Sequence, residues 1–105
     1  MLFEEISTPE ILSDIKRIFS NAPVVRTYGE ANWNSLSLPA RELVFDLRYR
    51  GDYTPRTRER LQRALVECDY DELVRAMNDT AYWLSLGVPI DRIRRRQALA
   101  ETLRA

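Results

Sequence analysis

The 105-residue chain is 45% hydrophobic, and its 16 basic and 16 acidic residues cancel to a formal net charge of zero. This composition is that of one small globular domain and argues against a disordered chain. The absence of histidine excludes a His-dependent nucleophile triad and a His-ligated metal site, and the single cysteine excludes an intrachain disulfide. We expect no metal or cofactor, and a neutral chain favours neither nucleic acid nor an anionic membrane as partner.

The first predicted helix begins at Thr8-Pro9-Glu10, where a capping hydroxyl precedes a proline in the first turn. Its apolar face follows helical spacing: Ile11, Leu12, Ile15, Ile18 and Phe19. The helix is predicted to end at Asn21-Ala-Pro23. Residues 24–36 read as irregular, with a short extended piece at Val24-Val25 and a loop anchored to the core by Trp33.

Five further helices are predicted from caps and apolar stripes. Ser37 and Pro39 open the second helix, and Gly51 ends it. Thr54-Pro55 opens the third, and Asp69 caps the fourth together with Glu72. A short helix around Ala81–Leu86 stops at Gly87, and Pro89 opens the last one. The predicted inward positions are Ala40, Leu43, Val44, Leu47, Leu61, Ala64, Leu65, Tyr70, Leu73, Val74, Met77, Ile90, Ile93, Leu99 and Leu103.

These elements predict an all-α fold, a compact bundle of about six short helices in one domain spanning residues 1–105. Within it we distinguish residues 38–105, a helical lobe, from residues 1–37, an N-terminal helix with an irregular loop. The N-terminal residues lack the basic stretch and apolar run of a signal peptide, and the chain has no apolar run long enough to span a bilayer.

The segment from Asp46 to Arg58 concentrates polar and aromatic side chains at a predicted junction between two helices, and such loops often carry binding sites. Two interpretations apply to it. In the first, Arg48, Tyr49, Arg50, Asp52 and Tyr53 bind a ligand: tyrosine rings stack on sugars, and Arg and Asp bind hydroxyl, acetamido or carboxylate groups. In the second, Arg48 or Arg50 pairs with Asp46 or Asp52 and locks the junction.

The order of features from about Leu38 to Arg96 resembles the second, helical lobe of the phage-lysozyme and pesticin group of peptidoglycan muramidases. A helix ends at a glycine loop, and a second helix, an acidic or aromatic turn and a tryptophan follow. A short turn then opens an arginine-rich last helix. The corresponding stretches here are Phe45–Gly51, Arg56–Glu67, Asp69-Tyr70-Asp71, Trp83, Gly87-Val-Pro89 and Arg92–Arg96.

The resemblance implies a lysozyme-like glycoside hydrolase lobe that acts on the glycan of bacterial cell walls. In that group the catalytic glutamate lies in a separate N-terminal lobe, followed by a glycine-rich hairpin, and we find no such unit in this chain. The resemblance therefore implies a fragment, a component completed by a second polypeptide, or a degenerate cell-wall binder. The alternative class is a non-enzymatic protein-interaction module, such as an adaptor or inhibitor.

The resemblance also implies a place of action. Without a signal peptide, we expect synthesis in the cytoplasm and delivery to the bacterial periplasm or cell wall by a secretion system or phage lysis.

A glycosidase requires a proton-donating carboxylic acid and usually a second carboxylate. Glu30, beside Trp33, is the only carboxylate in an aromatic loop, and it is the candidate acid, with an ordinary loop residue as the alternative. Trp83 is interpreted as a core residue or as a sugar platform. The run Arg94–Arg96 is of the kind that binds nucleic acid, but acidic residues elsewhere cancel its charge and aromatic residues do not interleave it. It is therefore interpreted as a solvated face or a contact with another chain.

Overall fold

The computed structural model describes residues 8–104, and within this range the chain contains α-helices and 3₁₀ turns and no strand. The predicted all-α bundle is confirmed. The expectation about a signal peptide lies outside the described residues, as does the capping role of the Thr8 side chain. The helices are α1 (Thr8–Ser20), α2 (Ala22–Tyr28), α3 (Leu38–Tyr49), α4 (Pro55–Glu67), α5 (Tyr70–Asn78), α6 (Thr80–Ser85) and α7 (Ile90–Glu101), with 3₁₀ turns at Trp33–Ser35 and Thr102–Arg104.

The predicted side-chain caps set the starts of three helices. The Ser37 hydroxyl accepts a hydrogen bond from the Ala40 amide at the start of α3, and the Asp69 carboxylate accepts from the Glu72 amide at the start of α5. At α4 the Thr54 hydroxyl accepts from the Thr57 amide. Each cap satisfies an amide that the first helical turn leaves without a backbone partner.

Helix α2 corrects the prediction of an irregular stretch from residue 24 with an extended piece at Val24-Val25, because these residues belong to the helix Ala22–Tyr28. The Asn21 carboxamide oxygen accepts a hydrogen bond from the Val24 amide, and Pro23 lies in the first turn, where its missing N–H costs nothing. The same proline that suggests the end of α1 therefore belongs to the start of α2. The helix ends at Gly29, whose φ of +96° and ψ of 170° suit only glycine.

The core brings together residues of every α-helix except α2. Helix α1 packs against α3, α4 against α5, and both α3 and α5 against α7. Most of the predicted inward positions are buried, with Ile90 as the exposed exception at 43%. Trp83 is 2% exposed and its indole N–H donates to the Ala76 carbonyl over 2.8 Å, so its assignment to the core is confirmed. No helix in the described range is both long and apolar enough to cross a membrane.

Candidate functional site

The junction between α3 and α4 folds back on the end of α3. The amides of Asp52 and Tyr53 both donate to the Leu47 carbonyl, over 2.7 and 3.1 Å, and Gly51 turns the chain with a φ of +81°. The Thr57 hydroxyl donates to the Asp52 carbonyl over 2.6 Å from the first turn of α4. These backbone contacts hold the junction in one shape and decide which of its side chains face inward.

Tyr53 faces the interior. Its side chain is 1% exposed, and its hydroxyl donates to the Gln62 amide oxygen within the core. Burial raises the pKa of this hydroxyl, and the Arg58 guanidinium, 5.3 Å from the ring centre, opposes the shift. The expectation that the ring stacks on a sugar does not match this position, because the side chain is buried and offers no open face to a ligand.

Arg96 of α7 is the main ionic partner of the junction. It is 3% exposed, its Nε donates to Asp46 Oδ2 over 2.8 Å, and its Nη2 lies 2.8 Å from Asp52 Oδ2. The Nη2 contact is an ion pair without hydrogen-bond geometry, and Nη1 has no hydrogen-bond partner. Arg92 adds a 3.3 Å contact to Asp52, and Arg50 lies 3.8 Å from Asp46. We name Asp46, Arg50, Asp52, Arg92 and Arg96 the junction cluster.

The junction cluster corrects the interpretation of Arg94–Arg96 as a wholly solvated face. Arg94 and Arg95 are exposed, whereas Arg96 is buried and forms ion pairs with two carboxylates of its own chain. A buried charge needs such partners, because removing it from water without compensation is costly. The pairing of Arg50 with Asp46 follows the structural alternative for this segment.

The remaining predicted ligand residues lie nearer the surface. Arg48 donates from Nη2 to Asp14 of α1 over 3.1 Å, and this hydrogen bond is the main reason that the pKa of the Asp14 carboxyl is lowered. Tyr49 is 38% exposed and stacks near Phe45, and the Arg50 guanidinium lies 5.6 Å from its ring centre. Tyr49 and its neighbouring arginines thus keep an accessible surface, and their ligand role stays a prediction.

A separate open groove of about 650 Å³ lies between the end of α1 and the loop before α3. The exposed Glu30 and the half-buried Trp33 line it, and the Trp33 ring contacts Phe19 at 6.4 Å between ring centres. The groove also receives side chains that the sequence did not single out: Lys16, Asn32 and Asn34. We call it the Trp33 groove.

The wall of the Trp33 groove is fixed to the bundle. Arg41 of α3 donates from Nε to the Trp33 carbonyl over 3.1 Å and from Nη2 to the Asn34 carbonyl over 3.2 Å. The Asn32 side chain accepts from the Asn34 amide over 3.0 Å and caps the 3₁₀ turn. The segment that sequence analysis treated as an irregular loop is therefore an ordered wall.

The charged side chains that line the Trp33 groove, Lys16 and Glu30, have no ion-pair partner in the part of the chain that the structure describes. Another groove, of about 370 Å³ along α4 and α5, differs in this respect. There Arg60 bonds Asp79 over 2.8 Å and Asp69 caps α5, so several of its charges already have a structural role.

Residues 8–104 contain no group of three or more metal-ligating side chains close enough to hold an ion. Residues 1–97 match a family described as a domain of unknown function, DUF8812. Neither the curated proteins nor the solved structures contain a match to the chain. Because the family match spans most of the 105 residues, the chain belongs to the DUF8812 family.

Proposed function

We propose that this protein binds the glycan of bacterial peptidoglycan in the Trp33 groove. The observation that carries the proposal is the groove itself, in which an aromatic ring, two asparagines and a carboxylate surround about 650 Å³ of open space. This volume lies within the range of small-molecule sites. The resemblance of residues 38–96 to a muramidase lobe supplies the ligand class.

The groups in the groove have the chemistry of sugar recognition. The accessible part of the Trp33 ring offers an apolar face to the C–H face of a pyranose. Asn32, Asn34 and Glu30 offer donors and acceptors to hydroxyl and acetamido groups. The Arg41 bonds hold this wall in place before the ligand arrives, which lowers the cost of ordering it.

The proposed activity of this chain by itself is binding and not hydrolysis. A two-carboxylate mechanism needs an acid and a second carboxylate on opposite sides of the bond, and Glu30 is the only carboxylate that lines the Trp33 groove among the described residues. Hydrolysis enters as a second form of the proposal, in which another polypeptide supplies the catalytic glutamate. In either form the protein acts at the cell wall after delivery by a secretion system or phage lysis.

A sacculus assay tests the proposal. Purified sacculi are incubated with the protein, and co-sedimentation and loss of turbidity are measured together. We expect the wild-type chain to sediment with sacculi and release no sugar. Trp33→Ala and Asn34→Ala should weaken sedimentation, whereas Glu67→Gln, an exposed change on α4 outside the groove, should not.

Fluorescence provides an independent reading of the same site. The two tryptophans differ in environment, since Trp83 is 2% exposed and Trp33 is half-buried in the groove. A soluble glycan oligomer should therefore change the emission of Trp33 and leave that of Trp83 constant. Wild-type protein that neither sediments with sacculi nor responds to the oligomer would overturn the cell-wall proposal.

A protein-interaction module is the second candidate function, and an exposed apolar surface favours it. Leu84 and Ile90 are 49% and 43% exposed on either side of the Gly87 turn. Arg94 and Arg95 follow on α7, exposed and without ion partners among the described residues. These features suit a partner that presents apolar side chains flanked by carboxylates.

Co-expression with the product of the neighbouring reading frame tests this second candidate. A complex should elute as one species in size-exclusion chromatography, and Leu84→Glu should dissociate it. Leu38→Glu is the matched control, because Leu38 is 66% exposed on a different helix. A complex that tolerates Leu84→Glu as well as Leu38→Glu would rule out the Gly87 turn as its interface.

A further inference from the structure

We infer that the Trp33 groove takes a ligand that carries both a carboxylate and an ammonium group, with Lys16 contacting the first and Glu30 the second. In peptidoglycan this chemistry belongs to the stem peptide and not to the glycan strand. The inference rests on the proposed function, because it assigns the peptide-bearing part of the same polymer to the same groove.

Lys16 and Glu30 line the same groove without pairing with each other. They do not approach within the 4.0 Å of an ion pair, and no other described residue neutralises either. The neighbouring Arg17 shows the contrast, since it pairs with Asp14 over 2.9 Å. Among residues 8–104, the groove is thus lined by a cation and an anion that have no ion-pair partner.

The charge pattern determines which ligands gain from it. A neutral sugar can form only hydrogen bonds with Lys16 and Glu30 and gains no ion pair from either. A ligand with a single charge is attracted by one side chain and repelled by the other. A zwitterionic ligand gains at both ends. Exposed ion pairs are individually weak, so each end should add about 1.5- to 5-fold in affinity at low salt, and the gain should fall as salt rises.

The identity of the cation also matters. Lys16 is the only lysine in a chain whose other basic residues are arginines, and it is exposed. Lysine carries a compact charge on a flexible stem and can follow a mobile carboxylate, whereas the arginine fork requires a fixed planar partner. This single lysine also gives the experiment a chemical probe, because Lys16 carries the only side-chain amine in the protein.

The test compares three soluble probes by Trp33 fluorescence and NMR titration. They are a peptide-free glycan oligomer, a disaccharide–tetrapeptide, and the same disaccharide–tetrapeptide with its carboxylates amidated and its free amine acetylated. We expect the unmodified disaccharide–tetrapeptide to bind about 2- to 25-fold more tightly than the blocked one. It should also protect the Lys16 amine from acylation, as read by mass spectrometry.

Matched variants assign the effect to the two charges. Lys16→Met and Glu30→Gln should each reduce the preference for the unmodified probe by about 1.5- to 5-fold, and the double variant should abolish it. Arg26→Met and Glu67→Gln remove exposed charges outside the groove and should keep it. Equal affinity for blocked and unmodified probes, or a preference that Lys16→Met leaves undiminished, would overturn the inference.

The outcomes also separate this inference from the proposed function. Equal binding of glycan oligomer and both peptide-bearing probes overturns the inference and supports glycan recognition. Binding of the unmodified disaccharide–tetrapeptide, but of neither the blocked probe nor the glycan oligomer, supports the inference and overturns glycan recognition. Binding of none of the probes overturns both.

Discussion

Replacing Arg96 by methionine should destabilise the protein more than any exposed arginine substitution. The side chain is 4% exposed and lies 2.8 Å from both Asp46 and Asp52. Methionine fills a similar volume but leaves two carboxylates without their main partner.

The expected magnitude follows from what remains in the junction cluster. Removing one member of a buried ion pair costs about 3–5 kcal/mol. Asp46 and Asp52 retain 22% and 16% of their side-chain exposure, and Arg50 and Arg92 still contact them, so the lower end of that range applies. We expect a loss of about 3 kcal/mol in the free energy of unfolding. For a chain of this size, that loss lowers Tm by roughly 12–24 °C.

Urea unfolding followed by circular dichroism measures the effect, and the slope with urea should stay constant between variants. Arg95→Met is the matched control, since Arg95 is the exposed neighbour on the same helix. Its effect should stay within about 0.5 kcal/mol. Arg96→Lys should fall between the two, because an ammonium keeps the charge but cannot reproduce the fork between two carboxylates.

A double-mutant cycle with Asp52→Asn isolates the pair. If Arg96 and Asp52 stabilise the fold through each other, the two changes together should cost less than their sum, with a coupling of about 0.5–3 kcal/mol. An Arg96→Met protein as stable as Arg95→Met, or strictly additive effects in the cycle, would refute the assigned role of the junction cluster.

Three further predictions concern the loop, the caps and the core. Tyr53→Phe should cost about 1–2 kcal/mol, because it leaves the buried Gln62 oxygen unpaired. Burial raises the pKa of the Tyr53 hydroxyl, so the unfolded chain loses this proton at a lower pH than the folded protein does. The stability of the wild-type protein should therefore fall as pH rises above about 10, and the fall should be smaller in the variant. Urea titration at several pH values measures both. Gly29→Ala should cost about 1–3 kcal/mol, because an added Cβ would lie 3.1 Å from the Val66 side chain at a φ of +96°. Gly51→Ala should cost less, because no atom beyond its chain neighbours lies within 4 Å of an added Cβ there. Equal thermal shifts in the two variants would contradict the packing argument. Asp79→Asn should lower Tm at pH 7, because the hydrogen bond from Arg60 and that from the Tyr82 amide lower the pKa of the Asp79 carboxylate. The difference in Tm between wild type and variant should vanish as pH falls through this lowered pKa and the wild-type carboxylate becomes protonated. A Tm difference independent of pH would exclude this ionic contribution.

The helices were predictable where their signals are local. Ser37, Thr54 and Asp69 each stand directly before an apolar repeat, and each forms the expected cap. Helix α2 was missed because a proline marks the start of a helix as readily as the end of one, and a seven-residue helix offers too little periodicity to decide between them.

The candidate site was harder to predict because its contacts are long-range. Tyr53 looks like a surface residue in a polar stretch, and its burial depends on Gln62 of the next helix. Arg96 looks solvated within an arginine run, and its partner Asp46 lies 50 residues earlier. Lys16 and Asn34 meet in one groove only through the packing of α1 beside α3, which no local pattern encodes.

The distance along the chain between Asp46 and Arg96 has a consequence for synthesis. At ribosomal rates of about 5–20 residues per second, the 50 residues between them take roughly 3–10 s to translate. Helix α3 therefore leaves the ribosome seconds before Arg96, which pairs with Asp46 near the C-terminal end of that helix. During that interval Asp46 and Asp52 lack their Arg96 partner, so the bundle reaches its final packing only after α7 has emerged.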